Sequence, residues 1–264
     1  MNRIHKIALT VLVSILMISQ CSQSKDVVTV FAHGLGGDKD QGWYYHVSSN
    51  IQNACIEGHL ITFNFKDAGN PTTSCLGQDA DIATLHTTCV NYENVILFGV
   101  SRGAATIANY LGTHKTQNVR AAILESPFDH VASVVRQIND SQSLPLITPA
   151  MYPNYNPHGI QPIDIADKID LNIPLLIIAS KSDSLIHYSS TVNLYNKIVA
   201  GGHKKAYLLV TETGAHANIL FGPEGRFVRN VIHAFYKEQN LPHNAIWASQ
   251  GEDAFKKCKL LTSQ

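Results

Sequence analysis

The sequence predicts an α/β fold, with a doubly wound, mainly parallel six-stranded sheet and helices on both of its faces. Two observations predict it. Short, continuous apolar runs, typical of strands buried inside a parallel sheet, recur along the chain. Segments with apolar residues at helical spacing separate most of these runs, an alternation that favours right-handed crossover connections. The 264 residues suit one large domain, which we expect over 25–264.

The six predicted strands are rich in β-branched and other aliphatic residues. They cover 27–32, 59–65, 95–100, 119–125, 174–180 and 206–211. Helical spacing marks 41–57, 80–90, 104–111, 190–199 and 226–237. A proline-rich stretch near 140–170 breaks the rhythm. We predict that it is an insertion over the carboxyl ends of the strands, where ligands bind in such sheets, with a plain surface loop as the alternative.

Residues 1–24 are predicted to be an export signal. Two basic residues within 1–6 precede the twelve uncharged residues 7–18, and a polar stretch follows. Twelve residues are too few to cross a bilayer, which takes about 20 in a helix. Cys21 follows the apolar run as the lipidated cysteine of bacterial lipoproteins does, although Gln20 stands where that pattern has a small residue. We expect a periplasmic, secreted or lipid-anchored protein, and attachment to a membrane through Cys21 stays open.

Composition excludes several classes of function. Lys plus Arg and Asp plus Glu both number 20, so no net charge attracts nucleic acid. The 13 histidines form no H-E-x-x-H motif and the five cysteines no C-x-x-C motif. We therefore expect no nucleic-acid partner, no metal and no cofactor. The cysteines after residue 21 permit one or two disulfides or buried free thiols, and their spacing does not decide: Cys55, Cys75, Cys89 and Cys258.

The pentapeptide Gly99-Val100-Ser101-Arg102-Gly103 follows one predicted strand and precedes a predicted helix. A serine in such a sharp turn has a strained backbone, which brings the residues two before and two after it into close contact. Glycine at both places is what this geometry requires. The pattern therefore predicts a serine nucleophile at the N-terminus of a helix, where negative charge is favoured.

A serine nucleophile needs a base, and the base needs an acid to orient it. Asp183 follows the fifth predicted strand and His216 follows the sixth, so serine, acid and histidine come in that chain order. Both side chains are expected at the carboxyl edge of the sheet. Glu125 and Asp129, after the fourth strand, are the reserve acids.

Acyl transfer also needs two N–H donors for the oxyanion of the tetrahedral intermediate. The predicted donors are the backbone N–H groups of Arg102 and of Leu35, which lies in the glycine-rich loop after the first strand. We expect His33 to tie this loop by a hydrogen bond. The Arg102 side chain has no assignment from the sequence beyond pairing with an acidic group.

The motif His33-Gly-Leu-Gly-Gly, the serine pentapeptide, Ser182-Asp183 and Gly214-Ala-His216 together resemble the α/β-hydrolase superfamily. The likeness runs from about residue 27 to residue 236 and is nearest to the esterase and prolyl-peptidase-like branches, without the propeller domain of the latter. Two strands that often precede the glycine loop in this superfamily have no room before residue 27. The expected fold is therefore a reduced, six-stranded α/β-hydrolase.

The resemblance implies a cofactor-free serine hydrolase that cleaves an ester, thioester or amide bond of a small to medium acyl or peptide substrate through an acyl-enzyme. Ser101, Asp183 and His216 would form its catalytic triad. The alternative is an α/β-hydrolase scaffold with an idle triad that acts as a binding module, since fold does not dictate function.

Overall fold

The computed structural model describes residues 27–49, 54–141 and 148–261. They contain one sheet of six strands, all parallel, in the order β2-β1-β3-β4-β5-β6. The strands are β1 (Val27–Ala32), β2 (His59–Thr62), β3 (Asn94–Val100), β4 (Val119–Glu125), β5 (Leu175–Ser180) and β6 (Ala206–Thr211). The predicted parallel α/β fold is confirmed. The predicted export signal, with Cys21, lies outside the described residues.

Helices cover both faces of the sheet. They are α1 (Asp79–Cys89), α2 (Arg102–Thr113), α3 (Val131–Ser141), α4 (Pro162–Ile165), α5 (Tyr188–Ala200), α6 (Gly225–Glu238) and α7 (Ala245–Leu261). Buried apolar residues of α1, α2 and α5 form one core with the sheet, and those of α6 and α7 form a second core on the other face. No helix in the described part of the chain is long and apolar enough to cross a membrane.

The helix expected over 41–57 is wrong. The structure has a 3-10 helix over Lys39–Tyr45, followed by extended backbone at His46. The carbonyl of Tyr45 accepts hydrogen bonds from the amides of Cys55 and Ile56, at 2.9 Å each, instead of continuing a helix. The described residues before and after 50–53 therefore pack on the sheet without one continuous helix, and Tyr45, Cys55 and Ile56 belong to the second core.

Strand β2 is shorter than predicted. It ends at Thr62, and three residues later the amide of Phe65 donates to His33 Nε2 rather than to a strand partner. Helices α3 and α7 had no counterpart in the prediction. Helix α7 packs on α6 and on β6, where Phe255 and Cys258 join the second core.

Strand order places the site. The chain moves from β1 outward to β2 and then returns to β3 on the other side of β1. The strand order therefore reverses between β1 and β3, although all the strands are parallel. Ligands bind at the carboxyl ends of strands next to such a reversal. There Ala32 lies beside Gly99, and Val100 lies beside Glu125.

The cysteines of the described segments are free and buried. Cys55 and Cys258 belong to the second core and Cys89 to the first. Cys75 is also buried, and its pKa is raised by burial and by the charge of Asp81. Of the two alternatives that the sequence left open, disulfides or buried free thiols, the structure shows the free thiols.

Candidate active site

Ser101 lies in a sharp turn between β3 and α2. Its backbone has φ +55° and ψ −119°, a conformation that L-residues rarely adopt and that costs about 1–3 kcal/mol. The Ser101 amide donates to the carbonyl of Glu125 at 2.8 Å, which holds the turn against the neighbouring strand. Ser101 as a whole is only 8% exposed. The turn therefore presents one hydroxyl at the start of a helix.

The glycines around Ser101 are required because a side chain at either position would collide with neighbouring backbone. A Cβ on Gly103 would lie 2.0 Å from the carbonyl oxygen of Ala32, so α2 touches the end of β1 there. A Cβ on Gly99 would lie 2.7 Å from the amide nitrogen of Ala104 in the first turn of α2. Both contacts are with backbone, which cannot move aside as a side chain does. The steric reason inferred from the pentapeptide is the one found here.

A hydrogen-bonded chain joins three side chains from three strand ends. His216 Nε2 lies 2.8 Å from Ser101 Oγ, and His216 Nδ1 lies 2.8 Å from Asp183 Oδ2. The other carboxylate oxygen of Asp183 accepts the amides of Leu185 and Ile186, at 2.9 and 2.8 Å. A carboxylate fixed in this way accepts Nδ1–H of the imidazole, which leaves Nε2 free to accept a proton from the serine.

The reserve acids do not take the place of Asp183. Within the part of the chain that the structure describes, neither Glu125 nor Asp129 hydrogen-bonds His216. Asp129 instead accepts a hydrogen bond from the hydroxyl of Ser190.

The two amides predicted for the oxyanion lie beside Ser101. Leu35 and Arg102 line the same cavity as the serine. The amide of Arg102 is in the first turn of α2, where amides have no acceptor within the helix. Among the hydrogen bonds between described residues, none has the amide of Leu35 as its donor. Neither N–H group therefore has an acceptor among the described residues.

The Arg102 side chain ties the loop after β1 to the start of α2. Its guanidinium is buried, pairs closely with Asp67 and donates to Ser74 Oγ at 2.9 Å. It also donates to the carbonyl of Gly34 at 3.4 Å and stacks over the ring of Phe65 at 4.4 Å. The sequence did not identify the acidic partner of this arginine. The partner is Asp67, which lies 35 positions earlier in the chain.

His33 holds the same loop as a neutral imidazole. Its Nε2 accepts the Phe65 amide at 3.2 Å, so its hydrogen is on Nδ1, which donates to the Gly34 carbonyl at 2.9 Å. Burial lowers the pKa of His33, and the charge of Arg102 acts in the same direction. His33 therefore positions the loop, as the sequence led us to expect, and has no hydrogen bond to Ser101 in the described structure.

Glu125 connects the turn of Ser101 with the loop of His216. Its backbone carbonyl accepts the Ser101 amide, and its carboxylate accepts the Ile219 amide at 3.0 Å. Ile219 lies three residues after His216. The carboxyl group has no exposed surface, and burial raises its pKa to about 7, although the Ile219 amide and His216 oppose this. The sequence had placed Glu125 at this edge but not in this supporting position.

Glu125→Gln is expected to stabilise the protein more at pH 8 than at pH 4.5. Because the folded-state pKa is above the unfolded value, the folded state keeps a proton that the unfolded state releases, so wild-type stability falls as pH rises from about 4.5 to 7. Glutamine has no such proton. The unfolding free energy of the variant minus that of the wild type should be about 3 kcal/mol larger at pH 8 than at pH 4.5. Urea unfolding of both proteins at each pH measures it, with the exposed Glu93→Gln as control. A difference that does not change with pH would contradict the expectation.

An apolar cavity of about 230 Å³ opens beside the serine. Its walls include side chains from four parts of the described chain: Leu76, Phe128, Val131, Val135, Tyr152 and Ile186. Tyr152, which lines this cavity, belongs to the stretch that the sequence predicted as an insertion. Among the described residues, no group of three His, Cys, Asp or Glu side chains is arranged to hold a metal ion.

Comparison with known proteins gives the family. The model of the prolyl oligopeptidase family matches residues 80–238, more than half of the chain. The chain belongs to the prolyl oligopeptidase family. This places it in the α/β-hydrolase superfamily and among serine hydrolases, as the motifs indicated. The match includes Ser101, Asp183 and His216 and leaves out the loop that contains Leu35.

One sequence relative and two solved structures are also similar to the chain, and the two structures share its fold. The chain is 27% identical over 224 residues to YfhR of Escherichia coli, named as uncharacterized, covering 81% of this chain and 72% of YfhR. The Pyrococcus furiosus esterase Pf2001 superposes with a TM-score of 0.60 at 16% identity, covering 81% and 83% of the two chains. The Pyrococcus horikoshii acylaminoacyl peptidase gives 0.61 at 17% identity, over 84% of this chain but only 39% of its own.

Proposed function

We propose that this member of the family is a serine hydrolase that cleaves an ester, thioester or amide bond of a small to medium acyl substrate through an acyl-enzyme. The observation that carries the proposal is the hydrogen-bonded chain from Asp183 through His216 to Ser101. The two linking distances, both 2.8 Å, are short enough for proton transfer without any rearrangement.

In the first half-reaction Ser101 Oγ attacks the acyl carbonyl carbon while His216 Nε2 takes the hydroxyl proton. The tetrahedral intermediate then collapses. The bond to the leaving group breaks, and the proton passes from His216 to the leaving oxygen, sulfur or nitrogen. In the second half-reaction water attacks the acyl-enzyme, His216 accepts its proton, and the acid is released with Ser101 regenerated.

Asp183 is the proposed orienting acid. Its carboxylate holds the Nδ1–H of His216 and stabilises the imidazolium that forms when Ser101 loses its proton. The amides of Leu35 and Arg102 are the proposed oxyanion donors. Each such donor contributes on the order of 3 kcal/mol to lowering the barrier when it is aimed at the developing charge.

A fluorophosphonate probe tests the proposal on the purified protein. The probe is expected to label one site per chain, and hydrolysis of p-nitrophenyl acetate is expected to fall in proportion to labelling, since one nucleophile does both. Heat-unfolded protein, which keeps every serine but loses the site, is the control and should not react. A folded protein that neither reacts with the probe nor hydrolyses the ester would favour the alternative, a binding module with an idle triad.

We also infer that the protein is exported. The support is the N-terminal sequence alone: a basic start, twelve uncharged residues and a polar stretch before the domain. N-terminal sequencing of the protein recovered from its native host tests this. A mature chain that begins at Cys21 with an attached lipid, or soon after it without one, is expected, and an intact Met1 would contradict export.

A further inference from the structure

We propose that the cavity beside Ser101 is the acyl-binding site and that it selects an uncharged aliphatic acyl chain of medium length. The inference rests on the proposed function, because the chain would be attached to the carbonyl that Ser101 attacks. Ser101 itself and the two residues whose amides are proposed for the oxyanion line this cavity. A carbonyl bound there therefore directs its acyl chain toward the apolar walls.

Helix α3 supplies much of the apolar wall. Four residues at positions i, i+3, i+4 and i+7 of this helix line the cavity: Val131, Val134, Val135 and Ile138. Such a stripe is what a helix normally buries against a protein core. Here the stripe faces open volume next to the serine, and Val134 and Val135 remain partly exposed. An aliphatic acyl chain would cover this surface. Removing the apolar stripe and the chain from water would favour binding.

The described walls of the cavity offer no partner for a charged chain. Arg102 is the one charged residue among the described residues that line it, and its guanidinium is already bound to Asp67, Ser74 and Gly34. A carboxylate or ammonium group on the acyl chain would lose its water without an opposite charge to replace it. The site should therefore reject charged acyl groups more strongly than it distinguishes lengths.

Tyr152 and Phe128 limit the length of the chain. Both line the cavity, and Phe128 packs on that side in a buried cluster with Tyr155 and Ile186. A cavity of about 230 Å³ buries a limited number of methylene groups, and methylenes beyond it would stay in water and add nothing to binding. The rate should rise with chain length and then stop rising.

A series of p-nitrophenyl esters measures both properties. From acetate through butanoate to hexanoate, kcat/KM is expected to rise about fourfold for each methylene buried, and to level off or fall by decanoate. The p-nitrophenyl monoester of glutaric acid, of similar length but charged, should be hydrolysed about 100-fold less efficiently than the pentanoate ester. A flat series, a preference for acetate or equal rates for the glutarate would overturn the proposal.

A substitution on α3 tests the location of the site. Val134→Phe is expected to lower the ratio of kcat/KM for octanoate to that for acetate by about tenfold, because the larger side chain takes the volume of about two methylenes. Val90→Phe, which makes the same change at an exposed position outside the cavity, is the control and should leave the ratio unchanged. An unchanged ratio in folded Val134→Phe protein would exclude this cavity.

The two proposals fail in different ways. If Ser101 is not the nucleophile, the protein neither reacts with fluorophosphonate nor hydrolyses any ester of the series. If only the acyl site is wrong, the probe still labels the protein and hydrolysis still occurs, but rates do not follow chain length or respond to Val134→Phe.

Discussion

Replacing Ser101 or His216 by alanine is expected to lower kcat for ester hydrolysis by about 10⁶-fold, and replacing both is expected to lower it no further. The reason is that the two side chains perform one step. Ser101 Oγ is a poor nucleophile while it holds its proton, and His216 Nε2, 2.8 Å away, is the base placed to take it. Once either is gone, the other has nothing to act on.

Steady-state rates of the two single variants and the double variant measure this non-additivity. The controls are Ser49→Ala and His158→Ala, which change exposed residues of the same types outside the site and should keep wild-type rates within about twofold. Losses that multiply in the double variant would show that the two residues act independently. A loss of only a few fold in either single variant would remove that residue from the mechanism.

Asp183→Asn is expected to lower kcat about 10⁴-fold while the fold is kept. In the wild type one carboxylate oxygen accepts the amides of Leu185 and Ile186, and the other accepts from His216 Nδ1. The asparagine oxygen would continue to accept the two amides, which turns its NH₂ group toward Nδ1. The imidazole must then accept at Nδ1 and keep its hydrogen on Nε2, the tautomer that cannot take a proton from Ser101.

Asp129→Asn is the matched control, because Asp129 is also a buried acid at this edge but hydrogen-bonds Ser190 rather than His216. Rates should be measured on protein with native circular dichroism. A rate near wild type for Asp183→Asn, or an equal loss for Asp129→Asn, would show that the orienting acid is misidentified.

What the sequence predicts well is what a local steric rule determines. The turn of Ser101 requires Gly99 and Gly103, and both lie in the same pentapeptide. The turn can therefore be predicted from the local sequence, without knowledge of the fold. Asp183 and His216 could be placed because each directly follows a predicted buried strand, and parallel strands bring their carboxyl ends to one edge. Their convergence on the serine then depends on strand order, which the superfamily resemblance supplied.

Other features depend on contacts between distant segments and left no local signal. The pairing of Arg102 with Asp67 and the support that Glu125 gives to the loop of Ile219 both join residues far apart in the chain. The segment 41–57 has helical spacing, which predicted a helix. The sequence does not show that Gly42 packs closely on Phe31 of β1, so closely that a Cβ on Gly42 would lie 3.1 Å from the ring. Helix α3 was not predicted, although four of its apolar residues stand at helical spacing, and no sequence signal shows that they face a cavity.

Peptide mapping of the fluorophosphonate adduct tests the assignment of the nucleophile most directly. After digestion of the labelled protein, we expect the added mass on the peptide that contains Ser101, at the hydroxyl oxygen, and no label on the Ser101→Ala variant. An adduct on a different residue of the folded protein, or undiminished labelling of Ser101→Ala, would contradict the mechanism derived from this site.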